Sequence, residues 1–146
     1  MAESVTFMME ALREAFGFAD ADLRTYSPLT LAYIGDSIYD LVIRTLLVKH
    51  GNAQPNKLHK RASAMVKASA QAEMIESLLP ELTEEETAVY KRGRNAKSYT
   101  MAKNATMSDY RKATGFEALM GYLYLKEDLG RMIELIRLGL EKGERL

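Results

Sequence analysis

The longest apolar segment of the chain constrains its fold more than any other feature. It runs from Leu29 to roughly Val48 and follows Ser27-Pro28, a helix-capping residue with proline at the first helical position. A helix that is apolar around most of its circumference must be covered on several sides by other elements. The segment therefore predicts a central, mostly buried helix around which the remaining chain packs.

Apolar residues recur at helical spacing through most of the remaining sequence. A first helix is predicted to end near Gly17, and Pro55 is predicted to open a third helix that continues to about Leu79. Thr83, with Glu86 three residues later, forms the capping-box pattern of a fourth helix. The first two thirds of the chain are therefore predicted to be helical.

The C-terminal third continues in the same pattern. Residues 93–108 show little periodicity and are predicted to form a loop. Helices are predicted over 108–125 and 131–140, with Gly130 marking the break between them. Because no segment alternates apolar and polar residues, the sequence predicts an all-α fold.

The bulk composition fits one folded domain, which we expect to span residues 1–146. The chain is 47% hydrophobic and 27% charged and contains no cysteine, which excludes disulfides, zinc–thiolate sites and thiol nucleophiles. Its N-terminus lacks the basic start of a signal peptide, and its longest uncharged stretch is too short to cross a membrane. We therefore expect a cytoplasmic protein that does not associate with membranes.

The charged residues are unevenly distributed, although the net charge is zero. Residues 41–72 contain six Lys or Arg and no acid, and residues 87–108 contain five Lys or Arg and no acid. A folded chain with two basic segments can present a positive face to nucleic acid despite a neutral total. The alternative is a pair of solvated helix faces whose charges are balanced by acids nearby in space.

Two apolar helices each contain one conspicuous carboxylate. Asp36 follows Gly35 in the predicted central helix, and Glu117 precedes Gly121 by four residues in the fifth. Glycine inside a helix costs about 1 kcal/mol relative to alanine, which suggests that a neighbouring helix approaches closely there. Two acids in apolar surroundings suggest a shared hard cation such as Mg²⁺ or Mn²⁺. The alternative is that each acid pairs with a Lys or Arg, or that Asp36 accepts a bond within its own helix.

The amino-acid sequences of these two helices resemble the two signature motifs of the ribonuclease III family. Residues 33–38 read Tyr-Ile-Gly-Asp-Ser-Ile, and residues 116–121 read Phe-Glu-Ala-Leu-Met-Gly, in the family's order and about eighty residues apart. Between them, Lys-Leu-His-Lys at 57–60 and Gly-Arg-Asn-Ala-Lys-Ser at 93–98 are similar to the short bacterial branch, mini-ribonuclease III. The resemblance covers residues 29–125.

The resemblance implies an all-α, single ribonuclease III-like endonuclease domain, a helical bundle that forms a two-fold dimer. It implies that Asp36 and Glu117 are the catalytic and metal-binding residues, with Mg²⁺ as the cofactor and Mn²⁺ as a substitute. Two departures bear on the number of metal ions: full-length family members carry acids where this chain has Ala32 and Thr114. The resemblance therefore leaves the metal count open.

The resemblance also implies a substrate and a reaction. The substrate would be double-stranded RNA, hydrolysed to 5′-phosphate and 3′-hydroxyl ends, with each subunit of the dimer cutting one strand. The physiological substrate that the resemblance implies is the precursor of large-subunit (23S) ribosomal RNA. Whether a ribosomal protein assists the reaction is left open by the sequence. The chain stops about twenty residues after the second motif, so we expect it to bind RNA without a separate double-stranded-RNA-binding domain.

RNA contacts are expected from the two acid-free segments, since duplex RNA is bound chiefly through its phosphates and 2′-hydroxyls. The alternative for the second segment is a solvated connector. The predicted RNA-binding residues are Lys57, Lys60, Arg61, Lys91, Arg92, Arg94, Asn95, Lys97, Ser98, Lys103 and Asn104.

Two competing functions are considered. All-α nucleotide pyrophosphohydrolases also hold Mg²⁺ with helical carboxylates, but the one dense acid cluster here, residues 84–86, is better explained by helix capping and the helix dipole. The second alternative is a non-catalytic, all-helical RNA-binding or scaffold module in which Asp36 and Glu117 form core ion pairs. Binding of a divalent metal separates this module from the enzyme.

Overall fold

The computed structural model describes residues 2–97 and 106–144, with side chains from residue 7 onward. The all-α prediction is confirmed, since no strand occurs in these two ranges. Seven α-helices are described there: α1 (Ala2–Phe16), α2 (Pro28–His50), α3 (Pro55–Val66), α4 (Ala68–Leu78), α5 (Glu84–Asn95), α6 (Met107–Leu125) and α7 (Leu129–Lys142).

Helix α6 is the centre of the bundle. Its residues 113–124 are buried except for Glu117, and α2, α4, α5 and α7 all pack against it. Tyr39 of α2 meets Phe116 edge-on, with 5.0 Å between ring centroids, and the Tyr39 hydroxyl contacts the sulfur of Met74 at 3.2 Å. This packing joins α2 and α4 to the same turn of α6.

The prediction that α2 is the central helix is therefore wrong in part. Its Ser27 cap and Pro28 start are confirmed, and residues such as Leu31 and Ile43 are fully buried. Its other side stays exposed in the single chain, where Tyr33 retains 79% and Leu41 56% of its accessible surface. The length and apolarity of the segment reflect two apolar faces, of which only one is covered by this chain.

The predicted third helix is two helices. The chain ends α3 at Val66, passes through Lys67 in an extended conformation with ψ of 157°, and starts α4 at Ala68. The break lets α3 pack on α2 while α4 packs on α6 and α7. No glycine or proline marks this break, so the sequence pattern does not reveal it. The carbonyl of Val66 that the break frees is bonded instead by the side chain of Gln71 at 2.8 Å.

Two other predicted boundaries are corrected. Helix α5 continues through Gly93 to Asn95, so the predicted loop over 93–108 starts too early. Gly130 lies inside α7 rather than before it, and the break falls at Glu127, whose φ is 64°. The end of α1 and the capping box of α5 are confirmed. Within the described ranges, no helix combines the length and apolarity that a membrane span requires.

Candidate active site

Two glycines bring α2 and α6 into backbone contact. A Cβ atom on Gly35 would lie 1.7 Å from the carbonyl oxygen of Glu117, and one on Gly121 would lie 1.9 Å from that of Leu31. Each helix thus presents a glycine to the backbone of the other, one turn apart. The predicted close approach of a neighbouring helix is confirmed at both glycines. Because Asp36 follows Gly35, the crossing also delivers its carboxylate to Glu117.

The Asp36 and Glu117 carboxyl groups meet at this crossing. Glu117 is partly buried on α6 and Asp36 is exposed on α2. Burial, the negative charge of Asp36 and a hydrogen bond to Asp36 together raise the pKa of Glu117 to about 8. Glu117 therefore holds a proton at neutral pH and donates it to Asp36. Two acids sharing one proton in a partly dry site are poised to exchange that proton for a cation.

The structure adds a third side chain that the sequence analysis did not predict. Gln71 of α4 is 2% exposed, and its Nε2 donates to Glu117 Oε2 at 3.2 Å. The same Nε2 donates to the carbonyl of Val66. A signal was present: Gln71 shares the apolar face of α4 with Met74, Ile75 and Leu78, where a polar side chain must find partners.

The other polar positions near the site are accounted for. Asp40, one turn after Asp36, pairs with Arg44 at 2.9 Å. Thr114 is buried and its hydroxyl donates to the carbonyl of Tyr110 at 3.0 Å, and Ala32 is buried. The two positions where the family carries further acids are thus filled by residues that bring no charge.

The donor set fits a hard divalent cation. Within the described residues, neither Asp36 nor Glu117 forms an ion pair with Lys, Arg or His, and the buried Oε1 of Gln71 has no hydrogen-bond partner. Carboxylate oxygens are the protein ligands that Mg²⁺ prefers, and Mg²⁺ keeps several waters when few are offered. No group of three or more acidic or histidine side chains in the described residues could hold a metal. With the two carboxylates of Asp36 and Glu117 as protein ligands, water would have to supply most of the remaining ligands.

The predicted RNA-binding side chains of the first basic segment lie on the surface. Lys57, Lys60 and Arg61 are all exposed on α3. The C-terminal end of that helix adjoins the acid pair, because the Val66 carbonyl and Glu117 bind the same Gln71 amide. The first basic segment therefore adjoins the acid pair at Val66 and Gln71.

Helix α5 contains the first part of the second basic segment and packs against the turn of α6 that carries Glu117. A Cβ atom on Gly93 of α5 would lie 2.8 Å from Ala118 Cβ and 2.9 Å from Gly115 Cα, on either side of Glu117. Arg94 lies over the Tyr90 ring, with 5.7 Å between the guanidinium carbon and the ring centroid. The end of α3 thus borders the acid pair, and the end of α5 packs on the turn of α6 that carries Glu117.

The remaining predicted contact residues differ in environment. Arg92 is exposed and donates to the carbonyl of Tyr26 at 3.3 Å, while Lys91, Asn95 and Lys97 are exposed. The predictions for Ser98, Lys103 and Asn104 lie outside the described residues.

Two of the three acids at 84–86 make structural contacts. Glu86 completes the capping box with Thr83 and pairs with Arg131 at 2.7 Å, which lowers the pKa of Glu86. Glu85 bonds to the hydroxyl of Tyr122. These acids fix α5 to α6 and α7, which argues against the pyrophosphohydrolase alternative.

Comparison with known proteins supports the resemblance to the ribonuclease III family. Residues 29–128 match the ribonuclease III domain. The chain is 50% identical over 123 residues to Mini-ribonuclease 3 of Enterococcus faecalis, covering 83% of this chain and 93% of that protein. It is 46% identical over 125 residues to Mini-ribonuclease 3 of Streptococcus pneumoniae, covering 84% and 98%.

A solved structure agrees with the fold. An X-ray structure of a Fusobacterium nucleatum protein superposes with a TM-score of 0.75 and 32% identity, covering 86% of this chain and 99% of that one. The motif segments, the helical bundle and the sequence matches all agree. The chain therefore belongs to the ribonuclease III family, on its mini-ribonuclease III branch, a family of endoribonucleases.

Proposed function

We propose that this chain is a divalent-metal-dependent endonuclease of double-stranded RNA whose catalytic and metal-binding residues are Asp36 and Glu117. The observation that carries the proposal is the meeting of these two carboxylates at the α2–α6 crossing, with no described cationic side chain to neutralise them. Such a pair is costly in a partly buried site unless it binds a proton or a cation. Mg²⁺ is the expected cation, and Mn²⁺ is expected to replace it.

In this proposal the chain's own residues bind the cation, orient the RNA duplex and neutralise phosphate charges. When bound, Mg²⁺ supplies Lewis-acid chemistry: it acidifies water and offsets charge on the scissile phosphate. Asp36 and Glu117 would hold the cation, and Glu117 would release its proton to solvent on binding it. The exposed cations of α3 and of the end of α5 bind phosphates, which aligns the duplex with the acid pair. Hydrolysis leaves 5′-phosphate and 3′-hydroxyl ends.

A cleavage assay tests this function directly. A 3′-labelled perfect RNA duplex with 5′-hydroxyl ends should be cut in Mg²⁺ or Mn²⁺, while the same duplex in EDTA, its separated strands and a DNA duplex should stay intact. Product ends are read by their susceptibility to a 5′-phosphate-dependent exonuclease. Cleavage in EDTA would refute the metal-dependent mechanism, and failure to cut any duplex in Mg²⁺ or Mn²⁺ would favour the non-catalytic RNA-binding alternative.

Arg94 and Lys97 should determine the affinity for duplex RNA rather than the stability of the fold. Replacing Arg94 and Lys97 with alanine should weaken duplex binding and reduce the slope of log K against log salt by about 2, one for each lost phosphate contact. Electrophoretic mobility shifts across a salt series, in EDTA to prevent cleavage, supply the slopes.

A charge-matched control separates this effect from a change in net charge. Arg137→Ala with Lys142→Ala removes two cations from α7, where Arg137 pairs with Glu141 and Lys142 contacts the Ser77 carbonyl. That variant should keep the wild-type slope. Equal slopes for wild type and the Arg94/Lys97 variant would identify this segment as a connector.

The proposed active form is a two-fold homodimer joined through α2. Leu29, Tyr33 and Leu41 follow one another at intervals of four and eight residues along α2 and remain exposed in the single chain, which supports an interface there. A two-fold dimer supplies one acid pair for each of the two antiparallel strands of a duplex.

Placing a charge in this face should separate the subunits. Tyr33→Glu is expected to give monomers at micromolar concentration, because a buried unpaired carboxylate would oppose association. Sedimentation equilibrium measures the mass, and Tyr33→Phe, which keeps the ring, should remain dimeric. A wild-type monomer that cuts both strands would contradict the two-site arrangement.

Other parts of the proposal concern biology. The physiological substrate is the precursor of 23S ribosomal RNA, which is matured at its ends in the cytoplasm, and a ribosomal protein is a candidate helper. The catalytic unit is the single domain 1–146. Depleting the protein in its source cells should lengthen the 23S termini, as measured by primer extension.

A further inference from the structure

Gln71 has more polar atoms than the fold itself uses, since the break between α3 and α4 needs only one hydrogen of its amide, which is donated to the Val66 carbonyl. It lies on the buried face of α4, among apolar residues such as Met74 and Leu78. A leucine or methionine would fill the same space, but it would leave the Val66 carbonyl and Glu117 Oε2 without this donor. The retained amide therefore has to be explained by what its nitrogen and its oxygen contact.

The nitrogen is fully used. An amide nitrogen has two hydrogens, and Nε2 has two acceptors within reach: the Val66 carbonyl at 2.8 Å and Glu117 Oε2 at 3.2 Å. Both partners are acceptors, so the chemistry of the site assigns the NH₂ group, and not the oxygen, to this side. One hydrogen closes the end of α3, and the other fixes one oxygen of Glu117.

The oxygen is left over. Oε1 of Gln71 is buried and has no partner among the described residues, although buried polar atoms in native proteins are nearly always hydrogen-bonded. It belongs to the same amide group as Nε2, so it also lies close to the Glu117 carboxylate. A free acceptor on the side chain that binds Glu117 suits a donor that arrives with the cation. Water in the hydration shell of Mg²⁺ is such a donor, since Mg²⁺ retains several waters.

We propose that Gln71 is the positioning residue of the metal site: its Nε2 orients Glu117, and its Oε1 accepts a hydrogen bond from a water of the cation's hydration shell. This inference rests on the proposed function, because it requires that Asp36 and Glu117 bind the cation. Outer contacts of this kind orient ligands and commonly change metal affinity by about 10–100-fold. Among the described residues only two carboxylates lie at the site, so the orientation of each one carries more weight.

The test measures metal binding without RNA and without turnover. Free Mn²⁺ is titrated into purified full-length protein and quantified by electron paramagnetic resonance. Gln71→Met, which keeps the volume and removes the amide, should bind Mn²⁺ about 10–100-fold more weakly than wild type. The matched control is Ser77→Ala on the same helix, whose hydroxyl only donates to the Met74 carbonyl at 2.7 Å; it should bind as wild type does.

The outcomes separate the inference from the function on which it rests. Wild-type affinity in a folded Gln71→Met variant, together with loss of binding in Asp36→Asn, overturns the role of Gln71 and leaves the proposed function standing. Equal Mn²⁺ affinity in wild type and Asp36→Asn overturns the metal site itself, and the inference with it.

A second measurement needs only the wild-type protein and decides the matter if Gln71→Met does not fold. The side-chain amide resonances of Gln71 are followed by ¹⁵N NMR during titration with Mg²⁺. They should shift with the same midpoint as the backbone amide of Asp36. Gln71 resonances that stay fixed while Asp36 responds would refute the contact.

Discussion

Replacing Asp36 with asparagine should abolish cleavage of duplex RNA while leaving the helical fold intact. The substitution preserves the size of the side chain but removes one of the two charges that hold the cation. Loss of a single preorganised electrostatic group costs about 10²–10³ in turnover, and here the cation itself would be lost. Cleavage under single-turnover conditions should fall at least by that factor. Circular dichroism should show unchanged helix content.

Asp40→Asn is the matched control for this variant. Asp40 lies one turn further along α2 and pairs with Arg44 at the surface, an interaction worth about 0–1 kcal/mol. Its loss should leave cleavage within about twofold of wild type, since it belongs to that surface contact and not to the acid pair. Near wild-type cleavage by Asp36→Asn would show that Asp36 is not a metal ligand.

Gly35→Ala should damage both the fold and the site. Alanine normally favours a helix by about 1 kcal/mol over glycine, but its Cβ would collide with the Glu117 carbonyl oxygen. Two helices in backbone contact cannot absorb a methyl group without separating, and overpacking of this kind costs about 1–3 kcal/mol or more. We expect a net loss of about 2 kcal/mol, which lowers the melting temperature by roughly 6–10 °C.

Separation of α2 from α6 would also part Asp36 from Glu117, so residual cleavage should fall even at temperatures where the variant is folded. Gly130→Ala serves as the control, because nothing lies within 4 Å of a Cβ placed on Gly130 of α7. It should melt at or slightly above the wild-type temperature. A Gly35→Ala variant with wild-type melting and cleavage would show that the helix crossing tolerates a side chain and does not set the site.

Local chemistry made several features predictable from sequence. The Ser27 and Thr83 caps act within four residues of themselves, so their patterns mark the starts of α2 and α5 correctly. Gly35 and Gly121 were identifiable as contact points, because glycine inside an apolar helix is otherwise unfavourable. The meeting of Asp36 and Glu117 was expected from their shared apolar context and from the family resemblance.

Features that depend on tertiary packing were not predictable in this way. The break at Lys67 carries no glycine or proline and is compensated by the side chain of Gln71. The continuation of α5 through Gly93 depends on its contact with Gly115 and Ala118 of α6. The partners of Gly93 are distant in sequence, and Gln71, although it lies only five residues after Val66, follows no local capping pattern. The local pattern alone therefore favours different boundaries.

The central claim is that Asp36 and Glu117 form one cation site, and carboxyl NMR of Glu117 tests it most directly. Because its pKa is raised to about 8, Glu117 should be protonated at neutral pH without metal. Binding of a cation favours the charged form, so saturating Mg²⁺ should lower this pKa below neutrality and release one proton. The ¹³C carboxyl titration of Glu117 should move to lower pH with Mg²⁺ in wild type, and this response to Mg²⁺ should be lost in Asp36→Asn. A wild-type Glu117 titration that is the same with and without Mg²⁺ would contradict the claim.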